Sequence, residues 1–234
     1  MPDPLLQIVD TLRRNRISTV EVADALGKVG VQPRLRRLNE RHFRAGRVSY
    51  VPTWGESNWP LHEGITAVPE DTILYVDVFD CGERAVLGDI ICKYLFLYKR
   101  IAGLVVNGLV RDSHRLLKEN YPIWCLGETP LGCFNRDVTA SPALQATINQ
   151  RRALFENSIM VCDDSGCTQI TKENINATTV RRLEWIEIQE DIWYYCIDTL
   201  KWTTYETICL KRYLNETDVL PASLRARLNE FSQD

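Results

Sequence analysis

Histidine is scarce in this 234-residue chain, with three in all, and methionine scarcer still, with two. The histidines are His42, His62 and His114, and none of the eight cysteines forms a Cys-x-x-Cys pair. A tetrahedral zinc site therefore lacks any recognisable ligand spacing, and a bound metal is expected to be a hard ion held by oxygen. The cysteines are spread over apolar segments, which makes reduced core residues of them. An excess of basic charge is also missing: 28 Lys and Arg stand against 31 Asp and Glu, for a net charge of −3. Without a positive field, a nucleic acid is not an expected partner. The local cluster Arg34, Arg36 and Arg37 holds few enough charges to be a solvated loop or face. No apolar run approaches the ~18 residues of a membrane helix, and the opening Met-Pro-Asp-Pro has neither the basic nor the apolar part of a signal peptide. The expectation is a soluble, cytoplasmic protein with no membrane partner. Internal repeats and low-complexity linkers are lacking too.

What is present suits one α/β domain with extensions. Hydrophobic residues make up 45% of the chain, enough for a core of ordinary size. A helix is expected over about 5–15, and Ser18-Thr-Val-Glu21 is a capping box that opens a second one running to about Gly27. β-branched and aromatic residues predict strands over 48–51 and 72–79, the second of them central. Gly88-Asp89 then precedes an apolar helical stretch that Gly103 is expected to stop, and 104–106 reads as a short buried strand, which makes a β-α-β crossover. Gly108 is read as a turn, Arg111-Asp112-Ser113 as the start of another helix, and 121–125 as a returning strand. Asp89 and Asp112 thus both fall at strand-to-helix junctions, where helix amides point outward and open α/β sheets place ligands. Residues 159–162 read as a strand entering the tight turn Asp163-Asp164-Ser165-Gly166, whose aspartates are taken as turn-formers. From Ala177 to about Trp202 the pattern is helical, with Trp185, Trp193 and Trp202 adding apolar area that must pack on the chain's own core or on a neighbouring subunit.

Four segments, in order, resemble one family. Ser57-Asn58-Trp59-Pro60-Leu61-His62 is similar to an Asp-Asn-Trp-x-x-His segment, Gly88-Asp89-Ile90-Ile91 to a Gly-Asp/Glu-Leu-x turn, and Gly108-Leu-Val-Arg111-Asp112 to a Gly-x-x-Arg-Asp signature. Val161-Cys-Asp163-Asp164-Ser-Gly166 resembles an Ala-Asp-Asp-Asp-Gly turn. The 22 residues between Gly88 and Arg111 fit the family's gap. The family is that of regulator of ribonuclease activity A and the 4-hydroxy-4-methyl-2-oxoglutarate aldolases, and the resemblance covers roughly residues 15–170. It implies a layered β/β/α swivelling-type domain over 1–170, in a homotrimer or hexamer; residues 171–234, long and aromatic-rich, depart from the family's pattern and are read as a helical extension packed on the chain's own core or at a subunit interface.

The resemblance further implies a lyase that cleaves a C–C bond of a 2-oxo acid, by retro-aldol reaction or decarboxylation, through a pyruvate enolate. Mg²⁺ or Mn²⁺ would act as a Lewis acid, with Asp112 as its protein ligand and water and substrate as the rest of its shell. Arg111 would face the enolate oxygen. Asp89 would orient water of the ion's shell, the amides of Ile90 and Ile91 would accept the substrate carboxylate, and Gly88 would let the backbone come close. Asn58 and His62 would border the pocket, and Glu187 or Glu190 would serve a neighbouring subunit's site. Read alone, Asp89 and Asp112 are equally well helix N-caps, Arg111 an ion-pair partner of Asp89, and Asn58 a turn residue. One departure stands out: the lyases carry an acid three residues after the aspartate of the Arg-Asp pair, and here that residue is Arg115. A cation there opposes a bound metal unless it points away. That departure keeps two alternatives open, a non-catalytic regulatory binding protein and a metal-dependent enzyme of a larger, sugar-derived substrate.

Overall fold

Burial on both faces explains the strands of this protein. The computed structural model describes residues 3–231, and its strand β3 (Ile73–Phe79) alternates strictly: Leu74 and Val76 join one apolar cluster while Ile73 and Tyr75 join another on the opposite face. A near-continuous apolar run is what a two-sided, largely parallel sheet requires. β3 sits at its centre, between β2 (Arg44–Trp54) and β5 (Gly103–Val110), parallel to both. β4 (Ala85–Leu87) and β6 (Ile123–Glu128) pair with β5, also in parallel. The two-residue β1 (Arg36–Arg37) closes that side antiparallel to β6.

β2 is long enough to serve two neighbours. Residues 48–54 pair with β3, and residues 44–47 pair antiparallel with β7 (Ile159–Asp163), which forms a hairpin with β8 (Gly166–Ile170). The sheet curls until its ends approach: the Trp124 indole of β6 donates to the Asp163 carbonyl at 2.7 Å, and Arg37 of β1 donates to the Asp164 carbonyl at 2.8 Å. The result is a nearly closed, barrel-like sheet. Helices α1 (Pro4–Asn15), α2 (Thr19–Ala25) and the long α7 (Ala177–Asp198) cover the β7–β8 side through Ile8, Leu12, Val22 and Leu183. The capping box is formed, Glu21 accepting from the Ser18 amide at 2.7 Å. α3 (Trp59–Gly64), α4 (Asp89–Lys93) and α5 (Ser113–Glu119) lie beside the first cluster. α6 (Pro142–Phe155) packs Ile148 and Phe155 on the inner face.

Several sequence expectations are corrected. Gly103 does not stop the helix: α4 runs into a π-helical turn over 94–98, Arg100 turns the chain with φ 50°, and Gly103 begins β5. Gly108 is not a turn but lies inside β5, where a Cβ would sit 2.5 Å from Val78 Cγ2, so it serves close strand packing. Two cysteines are not core residues: all eight are free, yet Cys209 is exposed and Cys133 half-buried. The aromatic helix ends at Asp198 rather than near Trp202, and of the two coverings left open the chain supplies its own: the second half of α7 packs Ile188, Ile192 and Cys196 on Tyr213, Leu220 and Leu228 of the segment that ends in α8 (Ala222–Phe231). No helix among the described residues is long and apolar enough to cross a membrane.

Candidate active site

The carboxyl ends of β4 and β5 lie side by side, joined by the Arg111 amide donating to the Leu87 carbonyl at 3.0 Å. Two strand-to-helix turns, Gly88-Asp89 and Arg111-Asp112, are therefore pressed together. A Cβ on Gly88 would lie 2.3 Å from Asp112 Oδ2 and 2.8 Å from Arg111 Cγ. Glycine stands there for that approach alone, because its backbone is extended and open to any residue.

Asp112 occupies the N-cap position of α5 in a left-handed conformation, φ 60°, but makes no side-chain cap to its own helix. Its Oδ2 instead accepts the Asp89 amide of α4 at 3.1 Å. The N-cap reading of Asp112 therefore fails for α5. The carboxylate is partly exposed, 3.8 Å from Arg111 Nε, with oxygen lone pairs still available.

A cavity of about 240 Å³ opens beside this pair. Gly88, Ile90, Ile91, Arg111 and Asp112 line it, with Asn58 and His62 of α3 across the way. Asn58 is more than a turn residue, since its Oδ1 is buried in the wall without a hydrogen-bond partner, the kind of group a ligand donor satisfies. A second cavity of about 400 Å³, lined by Ser113, His114, Glu128 and Thr129, shares Arg111 and Asp112 with the first.

Asp89 is not part of the cavity wall. Its carboxylate is buried, with Oδ2 3.4 Å from Arg115 Nη1 and Oδ1 without a partner. Asp89 is thus no N-cap either, and its ion-pair partner is Arg115 rather than Arg111. The cation that departs from the family pattern spends its charge on Asp89 and lies outside the lining of both cavities. The negative field of this corner shows in Cys92 of α4, whose thiol is pushed up by burial and then by Asp89 and Asp112.

The loop after β6 was not read from the sequence as part of the site. Cys133 and Asn135 line the cavity, and a Cβ on Gly132 would lie 2.2 Å from Arg111 Nη1. Backbone pairing with β4 holds this loop down, the Cys133 amide donating to the Ala85 carbonyl at 3.0 Å and the Ala85 amide to the Leu131 carbonyl at 2.8 Å. Pro130-Leu-Gly132 was the available signal. Glu187 and Glu190 lie on α7 and border neither cavity. Glu187 accepts from Asn15 of α1 at 2.9 Å, and burial raises the pKa of both. Asp163 and Asp164 are structural, as expected: Asp163 accepts from the Thr19 amide and hydroxyl and closes its turn on the Ser165 amide, while Asp164 accepts from the Arg41 amide.

A family model described as RraA-like, Aldolase/RraA, matches residues 19–168, more than half of the chain. The chain belongs to the RraA-like family. Over 95 residues it is 37% identical to a Bacillus cereus protein that carries the provisional name 4-hydroxy-4-methyl-2-oxoglutarate aldolase, covering 41% of this chain and 58% of that one. Over 197 residues it is 26% identical to protein DlpA of Legionella pneumophila, covering 78% of this chain but 30% of that one. The match thus spans about a third to just over half of these relatives' lengths. Among solved structures, Streptomyces coelicolor RraAS2, described as an unusual member of the RNase ES inhibitor RraA protein family, superposes with a TM-score of 0.60 at 20% identity, covering 79% of this chain and 94% of that one. That likeness shows the RraA-like fold.

A divalent ion is implied by the resemblance, and the donor set allows it in one form. Among the described residues no group of three His, Cys, Asp or Glu side chains converges to hold a metal. Asp112 is the one carboxylate on the wall of the smaller cavity. That arrangement suits Mg²⁺ or Mn²⁺ held by a single protein oxygen, with water and substrate completing the shell.

Proposed function

We propose that this RraA-like chain is a divalent-metal-dependent lyase that cleaves a C–C bond of a small 2-oxo acid through a pyruvate enolate. The observation that carries the reading is the placement of Asp112: it is turned away from its own helix, held at Gly88 and presented with Arg111 on one cavity wall. A volume of about 240 Å³ suits a substrate of a few carbons.

In this reading Arg111 faces the oxygen on which charge develops as the bond breaks, and a fixed guanidinium there favours the transition state over the ground state. The amides of Ile90 and Ile91 at the start of α4 take the substrate carboxylate, and Asn58 orients a donor group of the substrate. Asp112 would hold the ion, which when bound supplies Lewis-acid stabilisation of the enolate. Asp89 acts from behind the wall: its carboxylate ties up Arg115, so the cation three residues after Asp112 is kept from opposing a metal. In the retro-aldol cleavage the C3–C4 bond breaks as the C4 hydroxyl gives up its proton and becomes the carbonyl of the second product; the bond's electron pair passes to the enolate, which takes one proton back at C3 and leaves as pyruvate.

The test is pyruvate release from oxaloacetate and from 4-hydroxy-4-methyl-2-oxoglutarate with Mg²⁺, Mn²⁺ or EDTA. Release that requires metal supports the lyase. Absence of release from both substrates by folded, metal-supplied protein favours the second reading, a non-catalytic binding protein of the RraA kind, for which the Arg115 substitution is the specific observation.

A further inference from the structure

Four arginines gather at the opposite end of the sheet from the Arg111-Asp112 corner. Where β2, β3, β5 and β6 begin, the end of α1 and the strand starts enclose a cavity of about 520 Å³ walled by Arg13, Arg16, Arg44 and Arg100. The eight residues of β5, at about 3.3 Å each, put roughly 25 Å between it and the candidate active site.

Two of the four cations are neutralised. Arg13 forms a bidentate pair with Asp71, at 2.7 and 3.0 Å, and Arg100 pairs with Glu70. The other two meet no carboxylate among the described residues. Arg44 is half-buried and gives its Nε and Nη1 to the carbonyls of Ala102 and Phe43, at 2.9 and 2.8 Å. Arg16 lies over the Phe43 ring, 5.2 Å from its centroid. Burial, followed by the charges of Arg16 and Arg13, pulls the Arg44 pKa down. Two uncompensated guanidinium groups beside a third, in a chain whose net charge is −3, form a local arrangement rather than a consequence of bulk basicity.

We infer that this cavity is a binding site for a small molecule with clustered anionic oxygens, a phosphate ester or a polycarboxylate. Arg16 and Arg44 supply the charge, and Phe43 and Phe96 an apolar floor for the ligand's carbon skeleton. Asp71 on the wall, and Glu70 paired with Arg100 of the wall, disfavour a long polyanion such as nucleic acid, so the ligand is one that fits inside.

Titration calorimetry of the full chain with pyrophosphate and with citrate, each at low and at 0.3 M-scale chloride (about the point where exposed charges are screened), tests this and separates the two ligand sources. The expected result is saturable binding of at least one of the two anions. Arg16→Gly should weaken it roughly tenfold or more. That variant removes the guanidinium at a C-cap position with φ 55°, where glycine is at ease, so the fold is kept. Arg44→Gln should weaken binding as well, and Asp112→Asn should leave it unchanged. No saturable binding of either anion, binding as tight as the parent's in both arginine variants, or loss of binding in Asp112→Asn alone would each overturn the assignment, whatever the outcome of the lyase assay.

Discussion

Gly88 is a position where one added atom disturbs the candidate site. A methyl group there falls on the Asp112 carboxylate, so Gly88→Ala is predicted to displace it, costing about 1–3 kcal/mol of stability as overpacking does and removing lyase activity. Urea denaturation alongside the pyruvate assay checks both. At this scale the motif residues were legible: Gly88, Arg111 and Asp112 are conspicuous as an ordered set. Their geometry was not. Sequence leaves Asp112 as the cap of the helix that follows it, whereas tertiary contact makes it accept an amide of another helix, and only the fold shows that Asp89 faces Arg115 rather than the cavity. Arg115→Ala should leave Asp89 buried without its ion-pair partner. Its effect should appear as a changed dependence of rate on metal concentration, read from metal titrations of activity.

Among the elements, α6 is tied to the sheet by the most concentrated polar network. Asp77 of β3 is 1% exposed and accepts from Arg151 of α6 at 2.7 Å, from Tyr50 at 3.0 Å and from Asn107 at 2.8 Å. Arg151→Met is expected to cost about 3 kcal/mol, toward the lower end for a broken buried pair because two donors remain. Thermal unfolding checks it, and a variant as stable as the parent would contradict it. α6 was not read from the sequence, although Ser141-Pro142 is a cap with proline at the first helical position, and its pattern is polar because one narrow face is covered. α1, α2 and α7 were legible, α2 from its capping box and α7 from its apolar spacing, and β3 from its β-branched and aromatic residues. Gly103 and Gly108 misled because glycine marks close strand approach as readily as a turn.

For the whole molecule, the packing of α2 against α7 crowds carboxylates: Glu190 is half-buried near Glu21, Asp24 and Asp191, and burial first, then these charges, raise its pKa. A carboxyl whose folded pKa exceeds its unfolded value opposes folding when ionised, so the penalty is present above that raised pKa and is relieved as pH falls through it. Glu190→Gln should therefore raise the melting temperature at pH 7, by roughly 1–3 °C, with the gain fading toward pH 4. An equal gain at both pH values would refute the cause. We also expect the chain to assemble, with Ile90, Tyr94, Leu97 and Tyr98 exposed around α4 beside the cavity. Sedimentation should return a mass three or six times the 27.0 kDa of one chain, and a monomer would contradict the expected trimer.

In the proposed reading one carboxylate, Asp112, connects this fold to lyase chemistry. The most direct measurement compares wild type and Asp112→Asn for Mn²⁺ binding and for metal-dependent pyruvate release in the same samples. The asparagine keeps an oxygen for the Asp89 amide but removes the charge. If Asp112 holds the ion, the variant keeps the parent's melting temperature and loses both Mn²⁺ affinity and turnover. Retained metal-dependent turnover in a folded Asp112→Asn protein would exclude that role.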